Sequence, residues 1–166
     1  MARELDIVQR AMRSPPVDVE GVIRQLGIAY RNTPMSYGKS GFIEHEEGRF
    51  TITVNSTEGR QRQRFTAAHE LAHYLLHRDI LVKQGGLARH DDSLFDDFAP
   101  GNPPQPFNSA HEVEANKLAA EILMPKAAVT DAYDALDDNV DAVAQSFGVS
   151  RAAMEIRLKT LGLRSL

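Results

Sequence analysis

Phe65-Thr66-Ala67-Ala68-His69-Glu70-Leu71-Ala72-His73-Tyr74-Leu75-Leu76-His77 runs through the middle of this chain, and its His-Glu-x-x-His core decides both a helix and a chemistry. Residues four apart on a helix sit one turn above each other, so His69 and His73 project from one face and can grip a single ion. Glu70 follows His69 by about 100° of rotation, which puts its carboxylate beside that ion, where it can act as base toward an attacking water. The flanking alanines and leucines are helix formers, and no Pro or Gly interrupts the stretch from Arg60 to Ile80. With six histidines and eleven glutamates in 166 residues, composition yields only about 0.01 accidental matches to this pattern. The alternative is a pair of core histidines on a buried helix face.

A zinc ion held this way needs a third protein ligand, and the chain has no cysteine to offer. Candidates stand at His111, Glu112 and Glu114, ahead of the helical run Ala115 to Met124. Helical phase chooses among them. Glu112 lies on the stripe of Ala115, Ala119, Ile122 and Leu123, whereas Glu114 falls with Lys117 and Glu121 on the polar face. A carboxylate on an apolar stripe is costly unless something pairs with it, and a metal would. The competing explanation is a capping box between Ser109 and Glu112. Asn116, one turn on, is placed to orient a ligand. His77 continues the His69, His73 series but lies two turns from His69, about 12 Å along the axis, so a helix-end or core role is expected for it. Tyr74 and Arg157 are candidates for the oxyanion partner.

Around these segments the chain reads as a helical start, a small hairpin and a helical tail. Leu5, Val8 and Met12 recur at helical spacing up to Arg13, before Pro15-Pro16. Asp18 is an N-cap for Val19 to Leu26, with Gly27 in the C-terminal capping position. Ser40 to His45 and Phe50 to Asn55 read as two strands about Glu46-Glu47-Gly48. If the second of these is a sheet edge, a substrate strand could add to it. Asn55 and Glu58 fit a capping signal for the long metal helix. Between Val82 and Ser109, glycine, aspartate and proline pairs predict no regular element, only a loop that serves as a lid or as a surface insertion. Arg60, Arg62 and Arg64 read as a solvated helix face.

The tail, Val140 to Phe147, Gly148-Val149-Ser150 and Arg151 to Leu161, has the form of a helix-turn-helix within residues 138–166. Arg151, Arg157, Lys159 and Arg164 make DNA binding one reading of it. A helical hairpin packed on the metal core is preferred, because the same unit is a common packing device.

A chain of 166 residues with 42% hydrophobic and 25% charged residues is expected to form one soluble domain, residues 1–166. A net charge of -4 argues against a surface that binds nucleic acid as a whole. No apolar run reaches spanning length and no export signal is visible, so a cytoplasmic location without membrane partners is expected. The expected fold class is α+β: a mostly helical zincin-like domain with a small β-sheet.

Several segments together resemble the ImmA/IrrE family of metallopeptidases. They are Pro16-Val17-Asp18, Leu26-Gly27-Ile28, Ser40-Gly41, the Arg64 to His73 block, Glu112-x-x-Ala115-Asn116, Leu123-Met124-Pro125 and Phe147-Gly148-Val149-Ser150. The resemblance implies Zn2+ bound by His69, His73 and Glu112, with Glu70 as the base. It also implies a protein substrate, a helix-turn-helix repressor cut at one site. Ala72 stands where the family often has glycine and Leu118 where it often has phenylalanine, and the 82–109 loop is long. The rival class is an antitoxin-like regulatory module that binds DNA or protein and keeps a structural metal. Glu70 separates the two, since a structural site needs no base.

Overall fold

The computed structural model describes residues 2–85, 88–93 and 106–164. Among these the chain runs α1 (Ala2–Met12), α2 (Val19–Gln25), β1 (Ala29–Thr33), β2 (Lys39–Glu46), β3 (Arg49–Asn55), α3 (Arg60–Gln84), β4 (Ala88–Ser93), α4 (Ser109–Leu123), α5 (Lys126–Ala135), α6 (Val140–Phe147) and α7 (Arg151–Thr160). The fold is α+β, mostly helical, with one mixed four-stranded sheet in the order β1-β3-β2-β4.

The hairpin forms because Glu47 and Gly48 both adopt positive φ, 50° and 79°. That is the two-residue turn whose twist matches paired strands, and it closes on the Glu46–Arg49 pair. Gly48 N–H also donates to His45 Nε2 at 3.1 Å. β1 joins β3 in parallel, Tyr30 opposite Ile52, so β3 is flanked on both sides. The expectation that the Phe50–Asn55 strand could accept a substrate strand is therefore corrected: its backbone groups already serve two neighbours, and the edges of the sheet are β1 and β4.

Ile43, Ile52 and Val54 are fully buried between the sheet and α3. Here the approach is close. A Cβ added to Gly41 would lie 2.4 Å from the Thr53 carbonyl oxygen and 2.8 Å from Thr66 Cγ2. Glycine thus lets the helix seat one turn before His69. From Thr66 to His73 every residue of α3 is buried, and Ala67, Ala68 and Ala72 keep its girth small where neighbours crowd it. α4 packs along its other side, with Ala115, Ala119, Ile122 and Leu123 buried as the stripe predicts.

Asp18 caps α2 by accepting from Gly21 N–H at 3.0 Å, and Gly27 follows with φ 81°. α1 is tied to α3 by Glu4, which takes two bonds from Arg78 at 2.7 and 2.9 Å.

Three other expectations change. α3 begins after Gly59, which has no side-chain cap bond. Asn55 instead holds the preceding loop, accepting from Met35 and Thr57 N–H and donating to the Lys39 carbonyl at 2.6 Å. Residues 82–109 are not without regular structure: α3 extends to Gln84, and β4 pairs antiparallel with β2. β4 escapes pattern reading because Ala-Arg-His-Asp-Asp-Ser has no apolar alternation; its pairing partner defines it. The rest of the 82–109 stretch expected as a lid or a surface insertion, residues 86–87 and 94–105, lies outside the described residues.

The basic run is the third. Arg60 is exposed, but Arg62 donates to Ser40 Oγ at 3.2 Å and Arg64 is a clamp. Arg64 Nη1 reaches the Val17 carbonyl at 2.9 Å, while Nε and Nη2 reach those of Gly148 and Phe147, each at 3.2 Å. Burial holds this guanidinium below its ordinary pKa, with Arg60 adding to the effect. The bonds satisfy the last carbonyls of α6, whose left-handed Gly148 (φ 67°) leaves no room for a Cβ beside Arg64 Nε. Arg157 is used likewise, donating to the Met124 carbonyl at 2.9 Å. The α6–α7 pair is thus packed onto the core by two of the chain's arginines.

Candidate metal centre

The turn of α3 sets His69 Nε2 3.2 Å from His73 Nε2. Glu112 arrives from the first turn of α4, placing Oε2 3.2 Å from His69 Nε2 and Oε1 2.9 Å from His73 Nε2. Two ligand atoms about 2.0–2.1 Å from one ion, at the tetrahedral angle, stand about 3.3 Å apart. The separations found here, with two imidazoles and one carboxylate as donors, fit a tetrahedral zinc set. Both histidines are buried, and the Glu112 side chain retains 19% exposure.

Glu70 is fully buried, and it offers a carboxylate oxygen that lies, with a nitrogen of each of His69 and His73, in a group whose members are all within 4.8 Å of one another. A buried carboxylate costs free energy, which a cation held at that distance offsets.

The start of α4 aims Glu112. Asn108 is its cap, accepting from His111 N–H at 3.0 Å while His111 Nδ1 accepts from Asn108 N–H at 3.1 Å. The capping box therefore lies one residue earlier than the Ser109–Glu112 pairing considered from sequence, and Glu112 faces the histidines. Glu114 is 59% exposed, in keeping with its polar face, yet its Oε1 meets His77 Nε2 at 3.2 Å. Asn116 is exposed rather than packed against the histidines.

His77 is buried, with Nδ1 3.0 Å from His73 Nδ1. Burial pushes its pKa down, and Glu114 opposes that shift. A residue missed in the sequence is Phe107, fully buried and stacked on the His73 ring with centroids 4.1 Å apart at 13°. Its signal was slight: one aromatic beside the Asn108 cap. The Tyr74 side chain is hydrogen-bonded to Glu4. Its ring lies under the Arg78 guanidinium at 4.6 Å and edge-on to Phe50, and burial raises its phenol pKa. Arg157, bound to the Met124 carbonyl, is committed to the tail.

A His-Glu-x-x-His helix faced by a glutamate from the following helix is the arrangement that defines a metallopeptidase class. Residues 24–159 match the model of the peptidase M78 family, the IrrE N-terminal-like domain, and the chain belongs to that family. No curated protein matches it. A solved structure of a Mycobacterium tuberculosis transcriptional regulator shares the fold, with a TM-score of 0.55 and 18% identity over 93% of this chain. The chain spans about half of that protein, 47% of its length. Among the described residues, no helix is long and apolar enough to cross a membrane.

Proposed function

We propose that this chain is a zinc-dependent, gluzincin-like endopeptidase that cuts a helix-turn-helix transcriptional repressor at one site. The observation that carries the reading is the three-donor group of His69, His73 and Glu112 at tetrahedral spacing, with the buried Glu70 carboxylate beside it. His69, His73 and Glu112 would hold the ion. When bound, zinc polarises a scissile carbonyl and lowers the pKa of a water from about 15.7 toward about 7. Glu70 takes the proton of the attacking water and then delivers it to the departing amine nitrogen. Burial keeps that carboxylate out of bulk solvent, so the proton it holds goes to the leaving group. A metal kept only for structure has no use for such a base, which favours the hydrolase over a regulatory module with a structural ion.

The family, together with the fold shared with a transcriptional regulator, supports a regulator as the substrate. The docked tail supports the packing role over DNA binding. Of its cations, Arg151 is paired with Asp141 and Glu155 at 2.6 and 2.8 Å, and Arg157 is bonded into the core. We place the protein in the cytoplasm as one domain.

Incubating the zinc-loaded protein with a repressor encoded beside it, and separately with casein, tests the reading by mass spectrometry of fragments. One cut in the repressor and intact casein are expected. Rapid loss of casein, or an intact repressor together with DNA binding by the tail, would overturn it.

A further inference from the structure

His77, His111 and Glu114 form a second group of metal-capable side chains, with ligand atoms all within 4.8 Å of one another. Proton bookkeeping along the hydrogen bonds argues for a different use. A neutral imidazole carries one N–H and one lone pair. If His73 gives the Nε2 lone pair to the ion, the site reading proposed above, its proton is on Nδ1. That Nδ1 lies 3.0 Å from His77 Nδ1, which must then be the acceptor. The His77 proton is consequently on Nε2, and Glu114 Oε1 waits for it at 3.2 Å. Each donor in the chain meets an acceptor.

The reverse arrangement fails. An ion on His77 Nε2 would move the His77 proton to Nδ1, facing the Nδ1–H of His73 across 3.0 Å, or would force His73 to carry its proton on Nε2 where the first ion belongs. His111 is constrained as well: its Nδ1 accepts the Asn108 N–H, so its neutral form is protonated on Nε2. His77 thus presents a proton to Glu114 and the His111 lone pair is spent on Asn108, so neither imidazole of the trio offers a lone pair to a second ion.

We infer that His77, backed by Glu114, is a positioning residue that sets the tautomer and orientation of His73, and that the trio is its outer support rather than a second metal site. Phe107 completes the arrangement by stacking on the His73 ring, 4.1 Å away, and touching that of His77 at 5.6 Å. A carboxylate behind a ligating imidazole raises its basicity and holds its ring; here the effect is relayed through a second imidazole. The inference rests on the zinc reading of His69, His73 and Glu112.

The test combines affinity, stoichiometry and tautomer. Zinc affinity, measured by competition with a chromophoric chelator, should fall about 10–100-fold in His77→Leu. His77→Gln should recover part of the loss, because its amide oxygen can accept from His73. Wild type should bind one zinc per chain. Nitrogen-15 NMR of histidine-labelled, zinc-loaded wild type should show His73 protonated on Nδ1 and His77 on Nε2, a readout that holds even if His77→Leu folds poorly. A His77 protonated on Nδ1, wild-type affinity in His77→Leu, or a second zinc lost in His111→Ala would each overturn the inference. His69→Ala separates the two readings. If it abolishes binding while His77→Leu binds like wild type, only the inference here is wrong; if it keeps stoichiometric zinc, the metal site itself is misassigned.

Discussion

Replacing Arg64 by methionine keeps the length of the side chain and removes its donors, and the structure sets the size of the effect. Three carbonyls lose a partner: Val17 at 2.9 Å, Gly148 at 3.2 Å and Phe147 at 3.2 Å. Bonds from a charged donor contribute about 1.5–3 kcal/mol each when buried, and a half-buried guanidinium falls at or below the lower end because water can replace part of the loss. The cost is therefore about 3–4 kcal/mol, a large share of the 5–15 kcal/mol or so that holds a typical domain together. For a chain of this size that corresponds to a fall of roughly 6–16 °C in Tm. Arg64→Lys, a point charge without the planar fork, should lose about half as much. Arg60→Met, on an exposed residue of the same run, should stay within about 0.5 kcal/mol. Urea unfolding followed by circular dichroism gives the energies, and amide exchange over residues 140–160 shows whether the tail loosens first. An Arg64→Met protein as stable as Arg60→Met would refute the clamp and return the run to a solvated face.

Glu70→Gln should keep zinc and fold but lose about 10²–10⁴-fold in hydrolysis, since an amide can neither take nor return the proton; cleavage near the wild-type rate would point to another base. Chelator competition should show Glu112→Gln binding zinc far more weakly, and Glu114→Gln, whose amide oxygen can still accept the His77 proton, changed much less; the opposite ranking would reverse the helical phase of α4. Gly41→Ala should destabilise the protein by about 1–3 kcal/mol, because its methyl meets the Thr53 carbonyl and Thr66 before the helix can seat; an unchanged urea midpoint would mean the sheet yields there. Stripping the metal should lower Tm, with recovery on adding zinc, as expected for an ion bound only by the folded state; equal Tm values with and without zinc would contradict a bound ion.

Much of the candidate site was legible because it is written in local periodicity. His69 and His73 share a face by spacing alone, and Glu112 betrayed itself as a carboxylate on the stripe of Ala115, Ala119 and Ile122. The caps at Asp18 and Gly27 and the turn within Glu46-Glu47-Gly48 were legible for a like reason: Asp18, Gly27 and Gly48 each meet a local backbone need. What stayed hidden were partners supplied from elsewhere. β1 carries no apolar alternation that marks it as a strand, and β4 none either, so each exists because a neighbour offers its backbone.

The sequence by itself thus determined the α+β class, the helix that carries His-Glu-x-x-His, the glutamate that faces it and the family resemblance, each read from the pattern within short segments of the chain. Tertiary structure alone decided that β3 is central and closed to an added strand, that Arg64 clamps a tail 83 and 84 residues away, and that Phe107 covers His73. It also decided that His77 sits between His73 and Glu114 instead of simply ending a helix. The reason is physical: a side chain's propensity and phase are set by its own helix or strand, but its hydrogen-bond partner and its burial are set by whatever the fold brings across from distant parts of the chain.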